Sequence, residues 1–262
     1  MLVFVKLGGS LITDKHVEAS YRGEEVERLA GEMHRGLQSI PDLQVVLGHG
    51  SGSFGHFAAK RHDTIHGVRT PEQWRGFAEV SVAAADLNHR VAMTFHSAGV
   101  PVWRLQPSAS AQCHNGHLES LAMTPVHTAL AHNLVPLVYG DVALDDTIGG
   151  TIISTEVIFA YLARQLQPNR ILLLGEVAGV YDSSGDVIPV ITRDSFETVK
   201  SELIGASGVD VTGGMLAKVQ EMLDLAAVVP DLEAWIVDGR VPDLLESALL
   251  GNGIPGTRIT AG

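Results

Sequence analysis

Three glycine clusters in this chain stand where backbone N–H groups could converge on an anion. They are Gly8-Gly9-Ser10, the segment 48–55 and Gly213-Gly214. Glycine permits close approach of the backbone, and a helix start adds favourable potential for negative charge. One such cluster alone is ordinary turn chemistry. Here lysines accompany them: Lys6 precedes the first, Lys15 follows it, and Lys218 lies one helical turn beyond Gly214. Lys6 interrupts the apolar run Leu2-Val3-Phe4-Val5, where a lysine is costly unless it faces a wet, anionic site. His56 directly follows Gly55 at an expected helix start. An imidazole there could bind a phosphate, or could serve as a capping or exposed histidine. Asp141 follows the apolar run ending Tyr139-Gly140, where a carboxylate could orient lysines or hold Mg²⁺. Asp145 and Asp146 could do the same, with turn chemistry as the plainer use.

Two familiar nucleotide motifs fail on inspection. Gly50-Ser51-Gly52-Ser53-Phe54-Gly55 matches the dinucleotide pattern G-x-G-x-x-G. That pattern needs an acidic residue at the end of the next strand, about 20 residues on. The next strand enters only near Val100-Trp103 and ends in Arg104. A G-x-x-x-x-G-K-[ST] loop is absent, and so is a His-Glu-x-x-His pair among the 12 histidines.

These residues need a scaffold, and the chain supplies alternating strand and helix signals. Leu2–Leu7, Leu43–Gly48, Leu134–Gly140, Ile171–Leu174 and Ala234–Val237 are short, β-branched or leucine-rich runs that read as buried strands. Between them, residues 24–38 carry Val26, Leu29, Ala30, Met33 and Leu37 at helical spacing, and Pro71 opens a long helix towards Ser97. Residues 142–153 read as a hairpin with Gly149-Gly150 as its turn. Helices are also expected over 154–166, within 189–208, and from Gly213-Gly214 to about Val228; Thr257-Arg258-Ile259 is a late strand. The pattern predicts an α/β fold with a mainly parallel sheet.

Composition bounds the rest. At 262 residues with 45% apolar and 18% charged, the chain can bury a core without disulfides. Eighteen basic against 30 acidic residues give a net charge of −12, which disfavours nucleic acid. The lysines number five, Lys60 and Lys200 being the two without an evident task, so both are expected at the ordinary surface. Cys113 is the sole cysteine, which suggests a reducing, cytoplasmic setting. No apolar run approaches a membrane span, and the N-terminal one is too short for a signal peptide.

The motifs together resemble the amino acid kinase superfamily. Lys6-Leu7-Gly8-Gly9-Ser10 is similar to its first phosphate loop, and Asp210-Val211-Thr212-Gly213-Gly214-Met215 with Lys218 to its T-G-G-M-x-x-K element. Gly175-Glu176-Val177-Ala178-Gly179-Val180-Tyr181-Asp182 is similar to its nucleotide loop, with Glu176 and Ala178 in place of the usual aspartates. Gly8–Lys15 and His49–His56 resemble the isopentenyl phosphate kinases in particular, with Ser51 where a third glycine is common.

That resemblance implies a single domain over 1–262: an open, mainly parallel sheet sandwiched by helices, with a β-hairpin near the acceptor site. The acceptor lobe would cover about 1–165 and the nucleotide lobe about 166–262. It implies phosphoryl transfer from ATP, with Mg²⁺, to isopentenyl phosphate by a cytoplasmic homodimer. Lys6, Gly8, Gly9, Ser10, Ser51, Gly214 and Lys218 would hold ATP, and Lys15 would stabilise the transition state. Gly50, Gly55, His56 and Gly150 would line the acceptor, and Asp141 would orient the lysines. No residue is assigned as a metal ligand. Val80, Val82, Ala83, Ala84 and Met93 could line an apolar tail pocket or simply pack the core. A kinase acting on a phosphonate such as fosfomycin, or a non-catalytic nucleotide-binding protein, would share much of this pattern.

Overall fold

A computed structural model describes residues 1–205 and 214–262. Its main sheet has the order β10-β12-β11-β9-β1-β2-β6-β3. The strands are β1 (Leu2–Leu7), β2 (Gln44–His49), β3 (Val102–Arg104), β6 (Val135–Tyr139), β9 (Arg170–Gly175), β10 (Val190–Ile191), β11 (Glu233–Asp238) and β12 (Thr257–Ile259). All pair in parallel except β11 with β12. β1 lies between β2 and β9 and is buried on both faces, which is why it reads as a nearly unbroken apolar run. A smaller sheet, β5-β4-β7-β8, comprises β4 (Gln112–His114), β5 (His117–Ser120), β7 (Asp141–Asp145) and β8 (Gly149–Ile153).

Side chains alternate across the main sheet and sort into two cores. Val3, Val5 and Leu7 of β1 pack with α2 (Gly23–Ser39), α4 (Pro71–Ser97) and α9 (Leu244–Leu250). Phe4 faces the other way, into a core shared with α6 (Thr155–Leu166), α7 (Arg193–Gly205) and α8 (Gly214–Ala226). Its ring meets that of Phe159 edge-on at 5.0 Å. Lys6, two residues after Phe4, must face the same side, and this parity aims its ammonium at α6.

The long helix has a clear start. Thr70 Oγ1 accepts from Gln73 N–H while Gln73 Oε1 accepts from Thr70 N–H, with Pro71 in the first turn. Its inward stripe is Val80, Ala84, Leu87, Val91 and Phe95.

The hairpin departs from the sequence expectation. Residues 146–148 make the turn, and Gly149 and Gly150 begin β8. Asp145 explains the shift: its buried carboxylate accepts N–H groups from Asn115, Gly116, Thr147 and Ile148, so it closes the turn itself. Strands β4 and β5, α5 (Thr124–Ala131) and α9 have no counterpart in the sequence reading. No helix among the described residues is long and apolar enough to cross a membrane.

Candidate active site

Four adjacent parallel strands, β9, β1, β2 and β6, end on the same side of the sheet. The residues that follow or close them are Gly175, Gly8, Gly50 and Gly140. All four line one cavity of about 1000 Å³. This is the place where open parallel sheets bind ligands, outside the carboxyl ends of their strands.

After β1 the chain enters α1 (Gly9–Ile12), and after β2 it enters α3 (Gly52–His62). The two helix starts touch so closely that a Cβ on Gly9 would stand 2.8 Å from Gly52 Cα. Gly52 itself has φ +49. Thr13, fully buried, ties the two loops together. Its hydroxyl donates to Gly9 O at 2.7 Å and accepts from Ser53 N–H at 2.9 Å. The N–H groups of the first turn of any helix lack intrahelical partners, so two such starts face one space.

The cations converge here. Lys6 is 6% exposed, and its Nζ lies 2.6 Å from Glu156 Oε1. Glu156 stands one turn before Phe159 on α6, so Lys6–Glu156 repeats the Phe4–Phe159 contact one step along strand and helix. Burial would raise the Glu156 carboxyl, but the charge and hydrogen bond of Lys6, with the charge of Lys218, hold it below its usual range. Burial lowers the Lys218 ammonium, and Lys6 lowers it further, against the pull of Glu156. Lys6, Lys218 and Glu156 thus share a partly desolvated wall, and Glu221, its carboxyl raised by burial and by Glu156 against the pull of Lys6, lies within reach of the same charges.

Lys15 and His56 also line the cavity, and both are exposed. Lys15 rides a loop whose base is fixed by the Thr13–Tyr21 bridge and the Arg22 N–H to Ile12 O bond. Ser20 N–H donates to Ser53 Oγ, fastening the loop to α3. Across the cavity mouth, Arg22 pairs with Glu176 at 2.6 Å, which ties this loop to the segment after β9.

Beneath the second glycine loop lies His49, fully buried and stacked on Tyr139 with ring centroids 5.7 Å apart. Burial, with Lys6 nearby, pushes its pKa down to about 4, against the hydrogen bond to Gly50. Neutral His49 must therefore donate from Nδ1 to Gly50 O and accept from Asn88 at Nε2.

Of the residues chosen from sequence, Lys6, Gly8, Gly9, Ser10, Lys15, Gly50, Ser51, Gly55, His56, Asp141 and Lys218 line this one cavity. Gly214 begins α8 beside the lining residue Met215; Gly213 and the preceding Asp210-Val211-Thr212 lie outside the described residues. Gly150 is placed elsewhere: it packs on Phe77, 2.8 Å from where its Cβ would be, and Ile152 and Ile153 of the same strand line the cavity in its stead. Asp141 needs a second correction. Its carboxylate accepts from Ser108 N–H and Val142 N–H and bonds Tyr139, burial raises its pKa, and among the described residues it forms no ion pair with a lysine. The carboxylate that pairs with Lys6, and whose charge also acts on Lys218, is Glu156, which no glycine motif or strand-end rule marked. The tail candidates divide as well. Val80 and Ala84 line the cavity, whereas Val82 and Met93 are exposed on the outer face of α4.

Among the described residues no group of three His, Cys, Asp or Glu could hold a metal. Of the four cavity carboxylates, Glu156 and Glu176 are each paired with a cation, Asp63 is bonded to His66, and Asp141 accepts from Ser108 and Val142.

Comparison with known proteins identifies the family and the fold. The model of the amino acid kinase family matches residues 1–237. The chain is 34% identical over 270 residues to the isopentenyl phosphate kinase of Methanothermobacter thermautotrophicus, with 99% of each covered. It is 37% identical over 229 residues to that of Haloferax volcanii, covering 86% of this chain and 89% of the relative. An X-ray structure of isopentenyl phosphate kinase superposes with a TM-score of 0.83 at 29% identity, over 99% of this chain and 100% of that one.

Proposed function

The chain belongs to the amino acid kinase family and, within it, to the isopentenyl phosphate kinases, and from that premise we propose how its cavity works. It is a phosphotransferase that uses ATP to phosphorylate isopentenyl phosphate, giving isopentenyl diphosphate. The observation that carries the site assignment is the convergence of Lys6, Lys15, Lys218, His56 and two glycine-rich helix starts on one space with an apolar end.

Phosphoryl transfer asks the protein to position reactants and stabilise charge on the moving group. The nucleophile is an oxygen of the acceptor phosphate, already ionised near neutral pH, so no general base is required. The obstacle is repulsion between two anions. Lys6 and Lys218, held in register by Glu156, sit on the nucleotide side with Gly8, Gly9, Ser10, Ser51 and Gly214. Lys15, on its anchored loop, reaches over the transferring phosphoryl group. His56, with the N–H groups of Gly50 and Gly55, holds the acceptor phosphate. The isoprenoid tail lies against Val80, Ala84, Ile65 and Ile152. Asp141 shapes the cavity floor through Ser108 and Tyr139.

Among the described residues no group of three His, Cys, Asp or Glu could hold a metal, so Mg²⁺ would enter with ATP as a co-substrate and would supply charge neutralisation there beside Lys6 and Lys218. The acceptor-side residues lie within 1–165, and the nucleotide-side residues come from both that stretch and 166–262. The single buried cysteine supports a cytoplasmic setting, and the family resemblance supports a homodimer.

The test is a panel of alkyl monophosphates and fosfomycin with MgATP, read by product mass. Isopentenyl diphosphate from isopentenyl phosphate is the expected product. Turnover of fosfomycin alone, or ATP binding without turnover of any phosphorylated acceptor, would overturn the assignment.

A further inference from the structure

Lys60 was expected at the ordinary surface, yet it lines the same cavity as His56. The two stand at i and i+4 on α3, so they share one face of the helix. The cavity wall follows this helix from Ser51 past His56 and Ala59 to Lys60, Asp63 and Ile65. The rise between His56 and Lys60 is about 6 Å. Helical side chains lean towards the helix N-terminus, so the Lys60 stem covers the turn that carries His56.

The neighbouring charges are already spent. Arg61 pairs with Glu18 and Glu79, His62 also meets Glu79, and Asp63 is bonded to His66 at 2.6 Å. Among the described residues Lys60 has no carboxylate partner, unlike Lys6 on the nucleotide side. A flexible, unpaired ammonium one turn from the acceptor histidine has a ready counter-ion in a phosphate dianion.

We infer that Lys60 is a second cation on the acceptor phosphate, acting with His56 to select phosphorylated over neutral isoprenoids. The inference rests on the acceptor site proposed above. Lys60 lies C-terminal to His56 on α3, away from the glycine loop at Gly50–Gly52 and towards Ile65, so it would neutralise the acceptor without touching the transferred group. Its contact is present before and during transfer, and its effect falls on binding more than on kcat.

The test is calorimetric titration of isopentenyl phosphate, without ATP, into the wild-type chain and the Lys60→Met and Lys60→Arg variants. Met keeps the stem and removes the charge, and the exposed position should leave thermal unfolding unchanged. The expected result is affinity weakened roughly fivefold in Lys60→Met, nearly restored in Lys60→Arg, and with a flatter dependence on salt in Lys60→Met. ATP affinity, and competition by the neutral alcohol isopentenol, should not change. Equal affinity of wild type and Lys60→Met for isopentenyl phosphate would overturn the role of Lys60 alone. Equal weakening for ATP would place Lys60 in the nucleotide field and overturn it too. Failure of the wild-type chain to bind isopentenyl phosphate would overturn the acceptor site itself, and this inference with it.

Discussion

Replacing Glu156 by Gln keeps the shape of the side chain and removes the charge between two lysines. The Lys6 ammonium lies 2.6 Å from its carboxylate, and the two side chains are 8% and 15% exposed. At an effective dielectric of about 20, a pair at that distance attracts by ~6 kcal/mol. Desolvation of both ions offsets much of this, but removing one partner of a buried pair typically costs about 3–5 kcal/mol, because the other charge is left uncompensated. The adjoining cavity admits water, and Lys218 is already biased towards losing its proton by burial and by Lys6. Both soften the loss to about 2–3 kcal/mol. ATP phosphates would replace the missing carboxylate, so the deficit should shrink when nucleotide is bound. It should shrink in acid as well. The Glu156 carboxyl is depressed in the folded chain, so its contribution is present above its ordinary value of 4.5 and fades as pH falls through the folded value. Urea unfolding of Glu156→Gln and wild type at pH 7, with and without MgATP, measures all of this. A deficit under ~0.5 kcal/mol without nucleotide, or one that ATP leaves untouched, would refute the lysine-holding role.

Three further outcomes follow from the same geometry. Lys15→Ala or Lys218→Ala should lower kcat by roughly 10²–10³, the scale of losing one transition-state donor, and near-normal kcat in both would remove them from the chemistry. His56→Ala should raise the KM for the phosphate acceptor while leaving kcat close to wild type, because its contact is made in ground and transition states alike; steady-state kinetics with the acceptor varied decides this. His49 titrates from 6.5 in the unfolded chain to about 4 in the folded one. Only the unfolded state gains a proton between those values, so stability should fall by about 3 kcal/mol as pH drops from 6.5 to 4. Unfolding of His49→Gln across that window should lack this part of the slope, and an unchanged slope would count against a neutral, buried His49.

The strands were legible because β1, β2, β6 and β9 are buried on both faces and therefore carry continuous apolar runs. Lys6 was legible for the same reason, as a charge where such a run should not hold one. The glycine loops with their lysines and histidine could be found because close backbone approach to a phosphate restricts residue type locally. The long helix announced itself through Pro71 and Thr70. Weaker local signals misled: Gly149-Gly150 reads as a turn, yet Asp145 collects the N–H groups of residues far away at Asn115 and Gly116 and moves the turn to 146–148.

Sequence alone determined the glycine loops after β1 and β2 and the lysines and histidine proposed here to handle phosphate. Only the tertiary structure decided how they are held and charged. Glu156 looks like any first-turn glutamate of a helix until sheet parity turns Lys6 towards it, while Asp141, at an inviting strand end, spends its oxygens on Ser108 and Val142. Thr13 joins two glycine loops 40 residues apart, and Lys60 becomes a site residue only because α3 runs along the cavity wall. Backbone geometry is dictated by neighbours in the chain and leaves a local mark. Ion pairing and burial depend on which distant elements meet, and no local pattern records that.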